Sequence, residues 1–212
     1  MSEKGIEADP KLVEAMTNYV RPRSKKGLRG FIGLCSYYRE FIENFAETAA
    51  PLTDMVGSKS TFEWGDEQEK AFKELKRRLA TAPVLAHPDW NKPFYLQPDA
   101  SKNGYGAILS QRDEKGKEHP VTYISRRTRG TGERTANARR SEAGCIYWAV
   151  KKLRRFLEGH KFFVQTDHEP LKYLRNEKND RVLQRQLLEL EHFRFDVIYK
   201  PGKEQTNGDT RA

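Results

Sequence analysis

Cysteine is scarce. The 212 residues hold two, Cys35 and Cys145, set 110 positions apart. That excludes a disulfide framework and matches no zinc-binding spacing. A reducing intracellular setting is the expectation, in a cytoplasmic particle or in the nucleus. No apolar run approaches the roughly 18 residues of a membrane span. The opening MSEKGIEADP has no apolar core of a secretory signal. Internal repeats and low-complexity segments are also missing.

Acid is outnumbered by base: 30 Asp+Glu against 39 Lys+Arg, a net charge of +9. The imbalance is uneven. Residues 1–85 carry 14 basic against 13 acidic side chains, and residues 86–212 carry 25 against 17. The second part therefore holds nearly all of the excess, which fits either a polyanionic partner or a solvated basic surface. Hydrophobic residues are 36% of the chain and aromatics 11%. That is enough for a core, in one domain or a domain with a smaller extension.

The hydrophobic period divides the chain in two. Asp9-Pro10 starts a helix expected to run to Val20. Ser24 opens a second, with an apolar stripe at Leu28, Phe31, Ile32, Cys35, Tyr38 and Phe41. A looser stretch is expected to follow that helix, through Pro51 to Gly57. Asp66 is read as the cap of a third helix that buries Phe72, Leu75 and Leu79. From Phe94 onward the pattern alternates. It predicts strands at 94–97, 105–111 and 120–125, a basic loop over 126–140 and a helix over 141–157 closed by Gly159. A strand at 161–166, helices at 170–174 and 182–192 and a strand at 195–199 follow. The order argues for an α/β fold of the α+β kind: a five-stranded mixed sheet with flanking helices.

Three acids fall where a sheet-based site would want them. Asp99 follows a strand, Glu142 lies in a first helical turn and Asp167 ends a strand. Clustered carboxylates would recruit a hard divalent ion such as Mg²⁺. Each also has a structural reading: Asp99 as a turn residue, Glu142 as a partner of a helix N-terminus, Asp167 as a helix cap.

The strings themselves resemble a known family. LRGFIGLCSYYREFIENFAETAAPL and FEWGDEQEKAFKELKRRLATAPVLAHPDWNKPF are similar to the segment after the polymerase palm in gypsy-type LTR-retrotransposon reverse transcriptases. PDASKNGYGAILSQ, HPVTYISR, SEAGCIYWAV, FFVQTDHEPLKYL and FDVIYKPGKEQ resemble, in order, that family's ribonuclease H domain. The resemblance implies a helical thumb or connection remnant over 1–60, a linking helix over 61–85 and a ribonuclease H-like domain over 86–212. It implies metal-dependent hydrolysis of the RNA strand of an RNA–DNA hybrid. Asp99, Glu142, Asp167 and Asp209 would be catalytic and would hold two Mg²⁺ ions, or Mn²⁺. An upstream polymerase domain in a parent polyprotein is the implied partner; no membrane is.

The candidate phosphate contacts are Arg126, Arg127, Arg129, Arg139, Arg140, Lys151, Lys152 and Arg155. His168 is read as a loop support, and Trp64, Trp90 and Trp148 as core. Ser101 and Gly104 serve either a turn or the approach to Asp99. Some features depart from the family. Tyr-x-Asp-Asp is absent, so polymerisation by this chain alone is not expected. Pro98 precedes Asp99, Gly144 interrupts a helix, and Ala136, Arg139 and Arg140 replace the usual pattern before Glu142. Only three residues follow Asp209. The alternative expectation is a truncated or decayed fragment that binds nucleic acid or is structural.

Overall fold

The computed structural model describes residues 5–57, 61–128, 133, 136, 138–166 and 181–199. Helix α1 (Pro10–Thr17) begins as expected, with the Asp9 carboxylate accepting from the Lys11 N–H at 2.9 Å. It ends three residues short of Val20. Helix α2 (Lys25–Tyr37) is capped by Ser24, which accepts from the Gly27 N–H at 3.2 Å. The expected loose stretch is instead helical: α3 (Phe45–Thr48) and α4 (Ala50–Val56). Pro51 was misleading because it stands in the first turn of α4, where a missing N–H leaves nothing unsatisfied. Helix α5 (Asp66–Ala80) is capped at Gly65, not Asp66. The Gln68 side chain accepts from the Gly65 N–H at 3.1 Å, and Asp66 sits in the first turn, where its charge suits the helix dipole. These helices share one apolar cluster, centred on Met16, Leu28, Phe31, Leu52, Phe72 and Leu75.

The rest is a five-stranded mixed sheet. Its strands are β1 (Phe94–Ala100), β2 (Gly104–Arg112), β3 (Glu118–Arg127), β4 (Phe162–Thr166) and β5 (Phe195–Tyr199). The order is β3-β2-β1-β4-β5. β1–β2 and β2–β3 are antiparallel; β1–β4 and β4–β5 are parallel. The expected helix over 141–157 is two, α6 (Ala138–Lys152) and α7 (Arg154–Leu157), and α8 is Arg181–Leu190. Gly159, in the left-handed region at φ +80, closes the run. The expected helix over 170–174 lies outside the described residues.

Helix α6 packs on β1 and β2, and α8 on α6. Alternate strand positions (Phe94 and Leu96, Phe162 and Val164) meet helical positions four apart (Ile146 and Val150) in a second apolar cluster. Burying each such side chain contributes about 1.5–3 kcal/mol. Gly144, which costs helix propensity, faces Tyr105 of β2. A Cβ there would stand 2.9 Å from the Tyr105 hydroxyl oxygen.

The helical segment docks on β3. The Arg39 guanidinium donates to the Ser125 carbonyl at 2.5 Å, the Ala46 N–H donates to the Ser125 hydroxyl at 2.9 Å, and Arg127 pairs with Asp54.

Both cysteines are buried, and burial pushes each thiol up to about 12. Neither should react with an aromatic disulfide reagent at pH 8 in the folded chain, and both should react in denaturant. A fast-reacting thiol in the native protein would contradict this packing.

Candidate active site

The site is built on β1, the central strand. Its ladder with β2 runs through Asp99↔Gly106 to Ala100↔Tyr105, whereas its ladder with β4 ends at Leu96↔Val164. Among the described residues, the two parallel strands pair no further than Leu96. Pro98, which has no N–H to give a neighbour, falls beyond that point. Crevices at the carboxyl ends of parallel strands are where sheets of this kind present ligands. Asp99 is exposed there, inside β1 rather than after it.

Helix α6 is tied to the same place. The buried Cys145 thiol donates to the Asp99 carbonyl at 3.4 Å and to the Gly106 carbonyl at 3.3 Å. Glu142 precedes Cys145 by three positions, so the two share a face of α6. Glu142 Oε2 is buried and accepts no hydrogen bond, while the residue takes part in other polar contacts. The structure thus ties the helical face bearing Glu142 to the strand bearing Asp99. Asp167, which follows β4 directly, and Asp209 lie outside the described residues, as do His168 and Arg129. Among the described residues, no group of three or more His, Cys, Asp or Glu is arranged to hold a metal ion. The two acids that are described supply hard carboxylate oxygens, the donor type that Mg²⁺ and Mn²⁺ take.

Ser101 makes the turn that follows β1. Its hydroxyl accepts from the N–H groups of Asn103 at 3.2 Å and Gly104 at 3.0 Å. A residue that sequence reasoning missed reaches Asp99 from the helical segment: the Asn44 side-chain amide donates to Asp99 Oδ2 at 2.8 Å. Asn44 borders an open cavity of about 320 Å³, lined also by Ile42, Glu43, Arg78 and Tyr123. Partial desolvation lifts the Glu43 carboxyl above its ordinary value; Arg78 opposes the shift and the charge of Asp99 adds to it.

The basic candidates occupy different settings. Arg126 forks onto Glu133, with both bonds at 2.8 Å, and its guanidinium lies 4.5 Å from the Tyr105 ring and 5.5 Å from that of Trp148. Arg127 pairs with Asp54, and Lys151 with Glu189 at 3.0 Å. Arg155 lies 3.9 Å from Glu40. Arg139 and Arg140 belong to the first turn of α6, and Arg140 and Lys152 are exposed. Trp64 and Trp148 pack on Phe72 and Tyr105, and Trp90 is half exposed beside Phe156.

An acid at the carboxyl end of β1, a second on the helix packed over it, and the order β3-β2-β1-β4-β5 define a ribonuclease H-like fold. Residues 64–164 match the RNase H-like domain found in reverse transcriptase. The chain is 38% identical over 209 residues to the Retrovirus-related Pol polyprotein from transposon 412 of Drosophila melanogaster, covering 98% of this chain and 17% of that protein. It is 36% identical over 223 residues to the corresponding polyprotein from transposon gypsy of the same organism, covering 99% of this chain and 21% of that protein. The chain therefore spans about a fifth of the length of these relatives, and its resemblance to gypsy-type elements holds along nearly all of it.

Solved structures agree on the fold. The foamy viral protease-reverse transcriptase dRH in complex with double-stranded DNA superposes with a TM-score of 0.78 at 20% identity, over 92% of this chain and 35% of that one. The foamy viral enzyme in complex with an RNA/DNA hybrid gives 0.77 at 19% identity, over 99% of this chain and 29% of that one.

The turn carrying Asn44 is held by α5, and that hold is acid-sensitive. Glu74 accepts from Arg77 and from Arg78, each at 2.7 Å, while Arg78 donates to the Glu43 carbonyl at 2.6 Å. The two arginines pull the Glu74 carboxyl down from 4.5 to about 2. A depressed carboxylate stabilises the fold fully above its unfolded value, and the contribution is lost as pH falls from 4.5 toward 2. Across that window the Tm of the wild-type chain should drop further than that of Glu74→Gln. Parallel Tm–pH curves for the two proteins would remove Glu74 from the account.

Proposed function

We propose that this chain is the nuclease-bearing part of a retrotransposon Pol polyprotein, hydrolysing the RNA strand of RNA–DNA hybrids as a divalent-metal-dependent endonuclease. The observation that supports the reading is a tie at one end of the central strand: Cys145 holds the Glu142-bearing face of α6 to the carbonyls of Asp99 and of its cross-strand partner Gly106. Asp99 stands three residues past the last β1 position paired with β4, and Asp167 stands three residues past its partner Val164 in sequence. Asp167 and Asp209 complete the acidic set in this proposal.

Asp99 and Glu142 would hold Mg²⁺, or Mn²⁺, through carboxylate oxygens. When bound, the ions supply Lewis-acid stabilisation of charge on the phosphodiester oxygens and a more acidic water. The chain's own part is to hold the carboxylates rigidly, one on the central strand, where Asp99 pairs with Gly106 of β2, and one on a helix packed into the core. The excess of base in residues 86–212 attracts the phosphate backbone in a salt-dependent way. Exposed Arg140 and Lys152, with Arg139, Arg129, Lys151 and Arg155, are the proposed backbone contacts, and they position the substrate without reading its sequence. Shape and 2′-hydroxyls distinguish the RNA strand. The relative whose structure was solved with an RNA/DNA hybrid supports this choice of substrate.

A labelled RNA–DNA hybrid incubated with the full chain should be cut in the RNA strand with MgCl₂ and left intact with chelator. Asp99→Asn should lower the rate by at least about 100-fold while hybrid binding persists. Cleavage that survives chelation, or an active Asp99→Asn protein, would reject the assignment.

A further inference from the structure

Asn44 lies 55 positions before Asp99, on the helical segment rather than the sheet. Among the described residues it is the one non-glycine residue with positive φ, at φ 48 and ψ 34. Asn is among the few side chains that tolerate this conformation. The turn is fixed from several sides. The Asn44 carbonyl accepts from the N–H groups of Glu47 and Thr48 at 3.2 and 3.1 Å, Arg78 grips the preceding Glu43 carbonyl, and Phe45 is buried in the helical cluster.

So held, the side chain lies over Gly106, the cross-strand partner of Asp99. A Cβ on Gly106 would come within 2.0 Å of Asn44 Oδ1, so this close approach exists because residue 106 is glycine. On its other side the amide donates to Asp99 Oδ2.

The chemistry of the donor matters. An amide fixes the orientation of a carboxylate without neutralising it. A Lys or Arg in its place would offset the negative charge that attracts a cation, and would compete with that cation. Metal-binding carboxylates are themselves hydrogen-bonded by the groups around them, and a neutral donor on a rigid turn supplies that bond without adding positive charge.

We propose that Asn44 is a positioning residue for Asp99, by which the helical segment sets the orientation of the first carboxylate of the nuclease site. The proposal rests on the nuclease reading above and assigns residues 39–54 a part in that site, beyond linking two halves of a chain.

The test uses the full chain and the variant Asn44→Gly. Glycine keeps the left-handed turn and removes only the side chain, whereas alanine would strain the backbone. Two readouts are taken on wild type, Asn44→Gly and Asp99→Asn: the rise of Tm with MgCl₂ alone, and kcat and KM on a labelled hybrid. The expected result for Asn44→Gly is a folded protein with KM within about twofold of wild type. Its half-saturating Mg²⁺ concentration should rise, or its kcat fall, by about 10- to 100-fold, the usual loss when a partner of a metal ligand is removed. An Asn44→Gly protein with wild-type or better Mg²⁺ response and kcat, alongside an inactive Asp99→Asn, overturns this inference and leaves the nuclease reading standing. A wild-type chain that neither responds to Mg²⁺ nor cleaves overturns both.

Discussion

The pairing of β1 governs the rest of the molecule. The strand is parallel to β4 on one side and antiparallel to β2 on the other, and the two ladders stop at different residues, Leu96 and Ala100. Among the described residues, this leaves a short length of β1 whose ladder is with β2 alone. Asp99 occupies that length. The apolar cluster beneath it, with Phe94, Leu96, Ile146 and Phe162 fully buried, holds the strand in place. A thiol then fastens α6 to the same two strands. Cys145 does this without needing reactivity, since burial keeps it protonated at neutral pH.

Much of this was legible in the sequence. The change from helical to alternating period near Phe94 separates the two parts, and the five strands fall close to their expected places because alternation over five or more residues is a strong signal. Position alone singled out Asp99 and Glu142 as candidates, and the structure sets them in β1 and α6. Boundaries failed where one residue admits two readings. The stretch through Pro51 was expected to be loose, but Pro51 sits inside a first helical turn, and the strand expected over 94–97 runs through Pro98 to Ala100. Gly144 registered as a local cost, but its cause, the Tyr105 ring across the sheet, is a tertiary fact.

Asn44 could not have been found that way. Its placement joins two parts of the chain distant in sequence: the turn that aims it, and the hairpin that carries both the glycine that admits it and the carboxylate that receives it. Local sequence carries at most a hint, an Asn before a buried Phe, suited to a left-handed turn. The basic residues teach the converse lesson. Charge counting treats Arg126 like Arg140. Folding, however, matches Arg126 with Glu133 under two aromatic rings and leaves Arg140 exposed.

The docking at Ser125 has a consequence for the sheet as a body. β3 is an outer strand, and outer strands offer unpaired backbone groups to any other strand they meet. Arg39 takes up the Ser125 carbonyl, and Ala46 takes up its hydroxyl. The helical segment therefore acts as a cover along this margin. Cut from it, the β-rich part would carry a bare flank open to strand addition, and self-association through that flank would accompany the loss of the helices.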